Sequence, residues 1–300
     1  MPELPEVESL RRSLLPYIIG QKIIKVQVFK PKLVSDKGTM RTESADKVKQ
    51  FELELTGEYI KSLDRRAKNL ILTTFSGKII LIHLKMTGQL VYKSHDPNQE
   101  AVVGGHPIAI SKIEVPNKHS HIIFELEQGS LYFNDTRMFG YLLYFPSLSA
   151  LDSENHFESL GAEPFPETFS LEYFKKAMSG RKGNLKALFL GQEVVVGLGN
   201  IYCDEVCFDA GILPTRSVDS LKTKEIEKLY YSILKILDLA VEAGGSSVAN
   251  YLLGDGSKGN YAKQHKVYNK GGKECLVCGN KLFSQKLAGR TTVYCKFCQV

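Results

Sequence analysis

The sequence predicts an α+β protein in which a sheet-rich N-terminal half, led by one helix, is followed by a helical C-terminal half and a metal-binding β-hairpin. Three observations carry this reading. Apolar residues recur at helical spacing over the first twenty positions and again beyond residue 170, whereas short apolar or alternating runs divided by glycines fill 23–145. Near the C-terminus stand two close cysteine pairs, Cys275-x2-Cys278 and Cys295-x2-Cys298.

Residues 2–20 read as a helix because Leu4, Val7, Leu10 and Leu14 share a face and Glu3, Glu6 and Glu8 stand near its positive end. Residues 51–55, 70–75, 79–84, 122–126 and 141–145 read as strands of an antiparallel sandwich or barrel, with Gly77, Gly88, Gly129 and Gly140 at turns. Within this half, 93–118 carries Pro97, Gly104, Gly105, Pro107 and Pro116 and is expected to be an irregular, mobile loop. Pro164 and Pro166 make 146–168 a connector. Helices are expected at 171–178, 184–190, 201–210 and 223–243, the last turning Ile226, Leu229, Tyr230, Ile233, Leu237 and Ala240 inward. A glycine-rich stretch, 254–259, leads to a hairpin over 281–294. The domains implied are 1–146, a connector at 147–168, a helical domain at 169–262 and a metal module at 263–300.

With 300 residues, 43% of them hydrophobic, the chain can bury two cores. Six cysteines are too few for a disulfide scaffold, and the acidic, proline-containing start is unlike a signal peptide, so an intracellular, cytoplasmic protein is expected. No apolar run approaches the roughly 18 to 20 residues that cross a bilayer, so no membrane partner is expected. The net charge is +6, yet residues 250–300 hold eight lysines and one arginine against Asp255 and Glu274, a local +7. Charge concentrated in this way points to a phosphate backbone as partner.

The two cysteine pairs are spaced to place four thiolates around one tetrahedral zinc. A site with four protein ligands has no open position for a reacting water, so the expected Zn²⁺ is structural. Cys203 and Cys207, four apart on an expected helix, read as buried or half-buried thiols instead.

Removal of Met1 would leave Pro2 as a free secondary amine beside Glu3 and Glu6. An α-amino group titrates near pH 8, about two units below lysine, and is partly unprotonated at neutral pH. The iminium such an amine forms on attacking a sugar carbon is cationic at every pH and favours elimination at the next carbon. The other reading is an ordinary Met-Pro start. Gly197-Leu198-Gly199-Asn200-Ile201 opens a helix whose free N–H groups suit a phosphate, with Asn200 as a donor or simply as a helix cap. Lys68 and His83, at either end of apolar strands, are phosphate ligands or solvated residues, and Arg290 sits at the tip of the metal-stiffened hairpin, where a guanidinium fork suits a phosphate.

Together, MPELPEVE at the start, RRAKNL at 65–70, HLKMTG at 83–88, NDTRMFG at 134–140, GLGNIYCDE at 197–205 and the terminal C-x2-C…GRTTVYCKFC resemble the formamidopyrimidine-DNA glycosylase family of bacterial base-excision repair. The resemblance implies an N-terminal β-sandwich, a helix-two-turn-helix C-terminal domain and a zinc finger, in a monomer that grips damaged double-stranded DNA in a basic cleft and so resides on the bacterial nucleoid. It implies removal of 8-oxoguanine and formamidopyrimidines, followed by β,δ-elimination at the abasic site. Pro2 would be the nucleophile at C1′, Glu3 the acid/base group and Glu6 an organiser of the site. Lys68, His83, Asn200 and Arg290 would grip phosphates around the lesion, with Lys68 and Arg290 also in the catalytic set. Met86, Arg137 and Phe139 would fill the gap left by the flipped nucleotide, which must leave the stack before its glycosidic carbon can be attacked. Preference for cytosine opposite the lesion would rest on Arg137. Lys85 stands where relatives usually carry Gly, and Met138 where they often carry Arg. The alternatives are an endonuclease VIII-like enzyme for oxidised pyrimidines, although that branch usually reads PEGPE, and a zinc-hairpin relative that binds DNA without catalysis.

Overall fold

The computed structural model describes residues 1–35, 43–99, 101–105, 114–246 and 260–300. Residue contacts divide it into two units. The first comprises Met1–Pro2, Glu6–His156 and the described ends of Gly244–Asn260, and the second comprises Glu3–Pro5, Phe157–Ala243 and Tyr261–Val300.

The first unit is a sandwich of two antiparallel sheets. One sheet has the order β1-β7-β8-β5-β6, from Ile23–Val28 (β1), Gly88–Ser94 (β5), Val102–Gly105 (β6), Ser120–Leu126 (β7) and Gly129–Asp135 (β8). The other has the order β2-β3-β4-β9, from Ile60–Arg66 (β2), Asn69–Thr74 (β3), Ile79–His83 (β4) and Tyr141–Phe145 (β9). Their inner faces share one core, in which Leu90, Ile122, Phe124 and Phe133 meet Leu63, Leu70, Leu72, Ile80 and Ile82. Helix α1 (Leu4–Ile18) adds Val7, Leu10, Leu14 and Ile18, each at most 1% exposed, to the same core. Two short helices, α2 (Lys32–Ser35) and α3 (Ala45–Leu55), follow β1.

The structure departs from two of these expectations. Residues 51–55 are the last turns of α3, not a strand. Phe51-Glu52-Leu53-Glu54-Leu55 fits both periods, but Ser44 caps the helix by accepting from the Lys47 N–H, and Phe51 and Leu55 are buried four apart while Leu53 is 69% exposed. The expected mobile loop at 93–118 is in part regular. β5 runs to Ser94 and pairs with β6, Tyr92 opposite Val102 and Gln89 opposite Gly105, so Val102–Gly105 forms an edge strand. Its residues 100 and 106–113 lie outside the described residues, as does the glycine-rich stretch 254–259.

After α4 (Leu148–Ser153), the second unit contains α5 (Leu171–Met178), α6 (Leu185–Gly191), α7 (Asn200–Asp209) and α8 (Thr223–Glu242). Ser170 and Asn184 cap α5 and α6 by accepting from the Tyr173 and Ala187 N–H groups. Phe169, Phe174, Phe189, Tyr202, Leu229 and Ile233 build its core, with Cys203 and Cys207 fully buried among them. The last segment is a two-stranded hairpin, β10 (Phe283–Leu287) and β11 (Arg290–Tyr294), turned by Ala288 and Gly289, both at positive φ as a two-residue hairpin loop requires. No described helix is long and apolar enough to cross a membrane.

Candidate functional site

Helix α7 organises the candidate residues of the second unit. Its first turn leaves N–H groups without helical partners, and three of them point at one carboxylate: Gly199 N and Tyr202 N donate to Glu3 Oε2 at 2.7 and 3.2 Å, and Ile201 N to Oε1 at 2.9 Å. Glu3 therefore completes this helix rather than the one its own sequence begins, and the anion expected at 197–201 is a side chain of the protein. The approach requires glycine: a Cβ at Gly199 would lie 2.4 Å from Glu3 Cδ, and one at Gly197, which is at φ +91°, would lie 2.4 Å from Leu4 Cβ. The Leu4 N–H donates to Gly197 O at 3.0 Å, which locks the N-terminal segment onto this turn.

Gly199 occupies the cap position of α7 without a side-chain bond, so the alternative reading of Asn200 as a cap fails. Asn200 is the first helical residue, and Tyr268 has its phenol raised by burial, with the Asn200 side chain acting in the opposite direction. Tyr268 was not expected from the sequence. It is held from behind by Glu205, whose carboxylate accepts from the N–H groups of Lys266, Val267 and Tyr268 at 2.8, 3.0 and 2.8 Å. Arg290, exposed, opens β11 directly after the hairpin turn.

The four cysteines converge. All four sulfurs lie within 4.8 Å of one another, with Cys275 Sγ 3.8 Å from Cys298 Sγ and Cys278 Sγ 3.5 Å from Cys295 Sγ. A tetrahedron of sulfurs about 2.3 Å from a metal has edges of about 3.8 Å, so this set fits a metal ion. The turn is built for it: Cys275 N donates to Asn280 O at 2.7 Å and Gly279, at φ +75°, donates back to Cys275 O at 2.9 Å.

In the first unit, Pro2 is buried and Met1 is 45% exposed. Glu6, 2% exposed, accepts from Ser246 N at 2.7 Å. Lys68 lies in the two-residue turn between β2 and β3, where Arg66 pairs with Asn69. It is 4% exposed, so the solvated reading fails. Arg65 shapes that turn by donating from Nη1 to Ala67 O at 2.9 Å and from Nε to Glu8 at 3.1 Å. Burial pushes the Glu8 carboxyl up, but bonds from Arg11 and Arg12, with the charge of Arg65, outweigh it and hold it at about 2.

The strand register sets Asn69, His83 and Tyr141 side by side across β3, β4 and β9. His83 is half-buried, and burial, reinforced by the Lys85 and Lys68 cations, lowers its ring to about 3. Lys85 N donates to Nδ1 at 3.0 Å, so the neutral ring carries its proton on Nε2 and can only offer a phosphate an uncharged donor. Lys85 itself is at φ +50°, a conformation natural to glycine, and sets its ammonium 5.5 Å over the Tyr141 ring.

A second unexpected organiser is Asp135, fully buried at the end of β8. Its carboxylate accepts from Arg137 N at 3.1 Å, Gly140 N at 2.7 Å and the Thr87 hydroxyl, tying the loop with Arg137 and Phe139 to the loop with Met86. The bond two residues on is an Asx turn, the signal in NDTRMFG that would have revealed it. Arg137 is exposed and stacks on Phe139 at 4.5 Å, whereas Met138, at φ +54°, turns inward against the core.

Two family models match this chain: the formamidopyrimidine-DNA glycosylase N-terminal domain over residues 1–142 and the H2TH domain of the same enzyme over 160–251. The chain belongs to the formamidopyrimidine-DNA glycosylase family. A relative of that name from Desulfitobacterium hafniense is 38% identical over 300 residues, and one from Carboxydothermus hydrogenoformans is 35% identical over 299, each covering 100% of both chains. Among solved structures, a mutant Lactococcus lactis Fpg in complex with DNA containing Fapy-dG is similar at TM-score 0.84 and 32% identity. A MutM complex with DNA containing carbocyclic 8-oxo-G is similar at TM-score 0.83 and 33% identity; both comparisons cover 99% of each chain.

Proposed function

We propose that this enzyme removes oxidised purines from duplex DNA and then cleaves the strand at the resulting abasic site, with Pro2 as nucleophile. The observation that carries the reading is the seating of Glu3 on the first turn of α7: three main-chain donors fix a carboxylate one peptide bond from the amine. Full-length similarity to formamidopyrimidine-DNA glycosylases supplies the substrate class.

Once Met1 is removed, the Pro2 nitrogen attacks C1′ of the damaged nucleotide while Glu3 donates a proton to the opening sugar. The base departs with its bonding pair and takes up the proton that the Pro2 nitrogen loses on becoming an iminium. The C1′ iminium draws electrons from C2′; loss of the C2′ proton expels the 3′ phosphate, and a second elimination expels the 5′ phosphate. Glu6 keeps the main chain around Ser246 in place. Lys68, His83, Asn200 and Arg290 bind phosphates around the lesion, His83 through its neutral Nε2–H. Met86, Arg137 and Phe139 occupy the space vacated in the duplex, offsetting an unstacking cost of a few kcal/mol. Cys275, Cys278, Cys295 and Cys298 hold one zinc ion, which is structural: all-thiolate ligation suits zinc, and four ligands leave no site for substrate. The protein acts as a monomer on DNA in the cytoplasm.

Borohydride trapping tests this. Processed protein mixed with duplex carrying 8-oxoguanine opposite cytosine should give a covalent protein–DNA adduct that disappears in Pro2→Gly and in protein retaining Met1. Absence of adduct with verified processed protein refutes the amine mechanism. One neighbour, a Lactococcus lactis Fpg, was crystallised with DNA containing an oxidised pyrimidine, so excision is best measured on both lesion classes side by side, with faster purine removal expected.

A further inference from the structure

The second unit contains a fully buried ion pair that the chemistry above does not use. Lys186 on α6 and Asp204 on α7 are both 0% exposed, and Lys186 Nζ lies 2.6 Å from Asp204 Oδ1. The second oxygen, Oδ2, accepts from the main-chain N–H of Val293 at 3.0 Å, in the strand that Arg290 begins. A buried pair of this kind is seldom retained for stability, since two apolar residues of similar volume serve as well or better. A two-stranded hairpin, however, is marginal alone and needs an external partner to hold its attitude. At its far end this hairpin is secured by Gln299, which donates to Ile212 O at 2.9 Å, and by Val300 O, which accepts from Leu213 N at 2.9 Å. Within β11 itself, three residues along the strand from Arg290, the Asp204 carboxylate is a further tie.

We propose that Lys186 and Asp204 are positioning residues that dock β11 onto α7, so that Arg290 is presented in fixed relation to Asn200, four residues before Asp204 on the same helix. Lys186 supplies no contact to DNA. It neutralises and orients the Asp204 carboxylate so that one oxygen remains aimed at the hairpin. The inference rests on the assignment of Arg290 as a phosphate ligand only for its functional consequence; the docking stands on the geometry.

The test uses the full-length, metal-loaded protein in four forms: native, Lys186→Met with Asp204→Leu, Arg290→Ala, and the triple variant. The apolar pair preserves packing and removes the tie without stranding a charge. Binding to duplex with an abasic-site analogue is measured against salt, with thermal melting and amide exchange of β11. In the native background Arg290→Ala should weaken binding about tenfold. In the Met/Leu background it should weaken binding less than about twofold, with melting temperature and metal content retained. An equal effect of Arg290→Ala in both backgrounds overturns the proposal. If Arg290→Ala has no effect even in the native background, the phosphate assignment of Arg290 fails, and amide exchange decides the docking. Exchange of the Val293 amide at least about tenfold faster in the Met/Leu pair supports it, and unchanged exchange overturns it.

Discussion

A histidine proposed as a phosphate ligand is commonly pictured as a cation, but the surroundings of His83 favour its neutral ring near neutrality. Burial first, then the Lys85 and Lys68 cations, lower it from 6.5 to about 3. Between those values the unfolded chain binds a proton that the folded chain refuses. Stability from this ring is therefore full above pH 6.5 and is lost as pH falls toward 3. Between pH 7 and pH 5 the loss amounts to about 2 kcal/mol. His83→Gln keeps an uncharged donor and removes the titration, so its melting temperature should fall less than that of the native protein over the same interval. Parallel curves would mean that the ring titrates normally. The residue types of the site were legible in the sequence, but the partners were not. Glu3 reaches Gly199 across 196 positions and Asp204 reaches Val293 across 89, and no local spacing encodes a contact of that range. Asp135 is the exception, because its Asx turn is written within six residues.

At the scale of the element, the segment 51–55 shows where pattern reading meets its limit. Alternating apolar and acidic residues satisfy a strand of period two and a helix that buries positions four apart. The cap at Ser44 and the burial of Val48, Phe51 and Leu55 against the first core decide for the helix. The two assignments differ at Leu53, which a strand would bury beside Phe51 and Leu55. Leu53→Lys should therefore change unfolding free energy by no more than about 0.5 kcal/mol. Leu55→Ala should cost about 2–5 kcal/mol. Chemical denaturation of the two variants checks this, and a large loss from Leu53→Lys would restore the strand. The helices of the second unit were more legible, because their apolar faces extend over two turns or more and Ser170 and Asn184 mark their starts. The edge strand β6 was hidden for the opposite reason: four residues beside glycine and proline carry too little pattern, and its pairing with β5 supplies the regularity.

At the scale of the whole molecule, the basic excess of residues 250–300 and the cysteine module lie together at one end of the sequence, so metal retention should govern DNA affinity more than it governs folding. The helical core is built from Phe169 to Ala240 with Tyr261, and no α-helix of the described residues lies beyond α8. The module's own apolar cluster is small, Val267, Cys275, Leu282, Val293 and Cys295 with Phe208 against it, and two of its members belong to the four-cysteine set. A cluster of that size cannot offset the chain entropy of some forty residues without the metal. Chelation should therefore unfold the hairpin, remove the ordered presentation of Arg290 and abolish specific DNA binding, while most of the far-UV helical signal and a cooperative melt survive. The check is circular dichroism, thermal melting and DNA binding on the same chelated sample, followed by added zinc. Recovery of binding with zinc would fit the assignment. Collapse of the helical signal on chelation would show that the metal supports the helical core as well, and undiminished binding would remove the hairpin from the DNA interface.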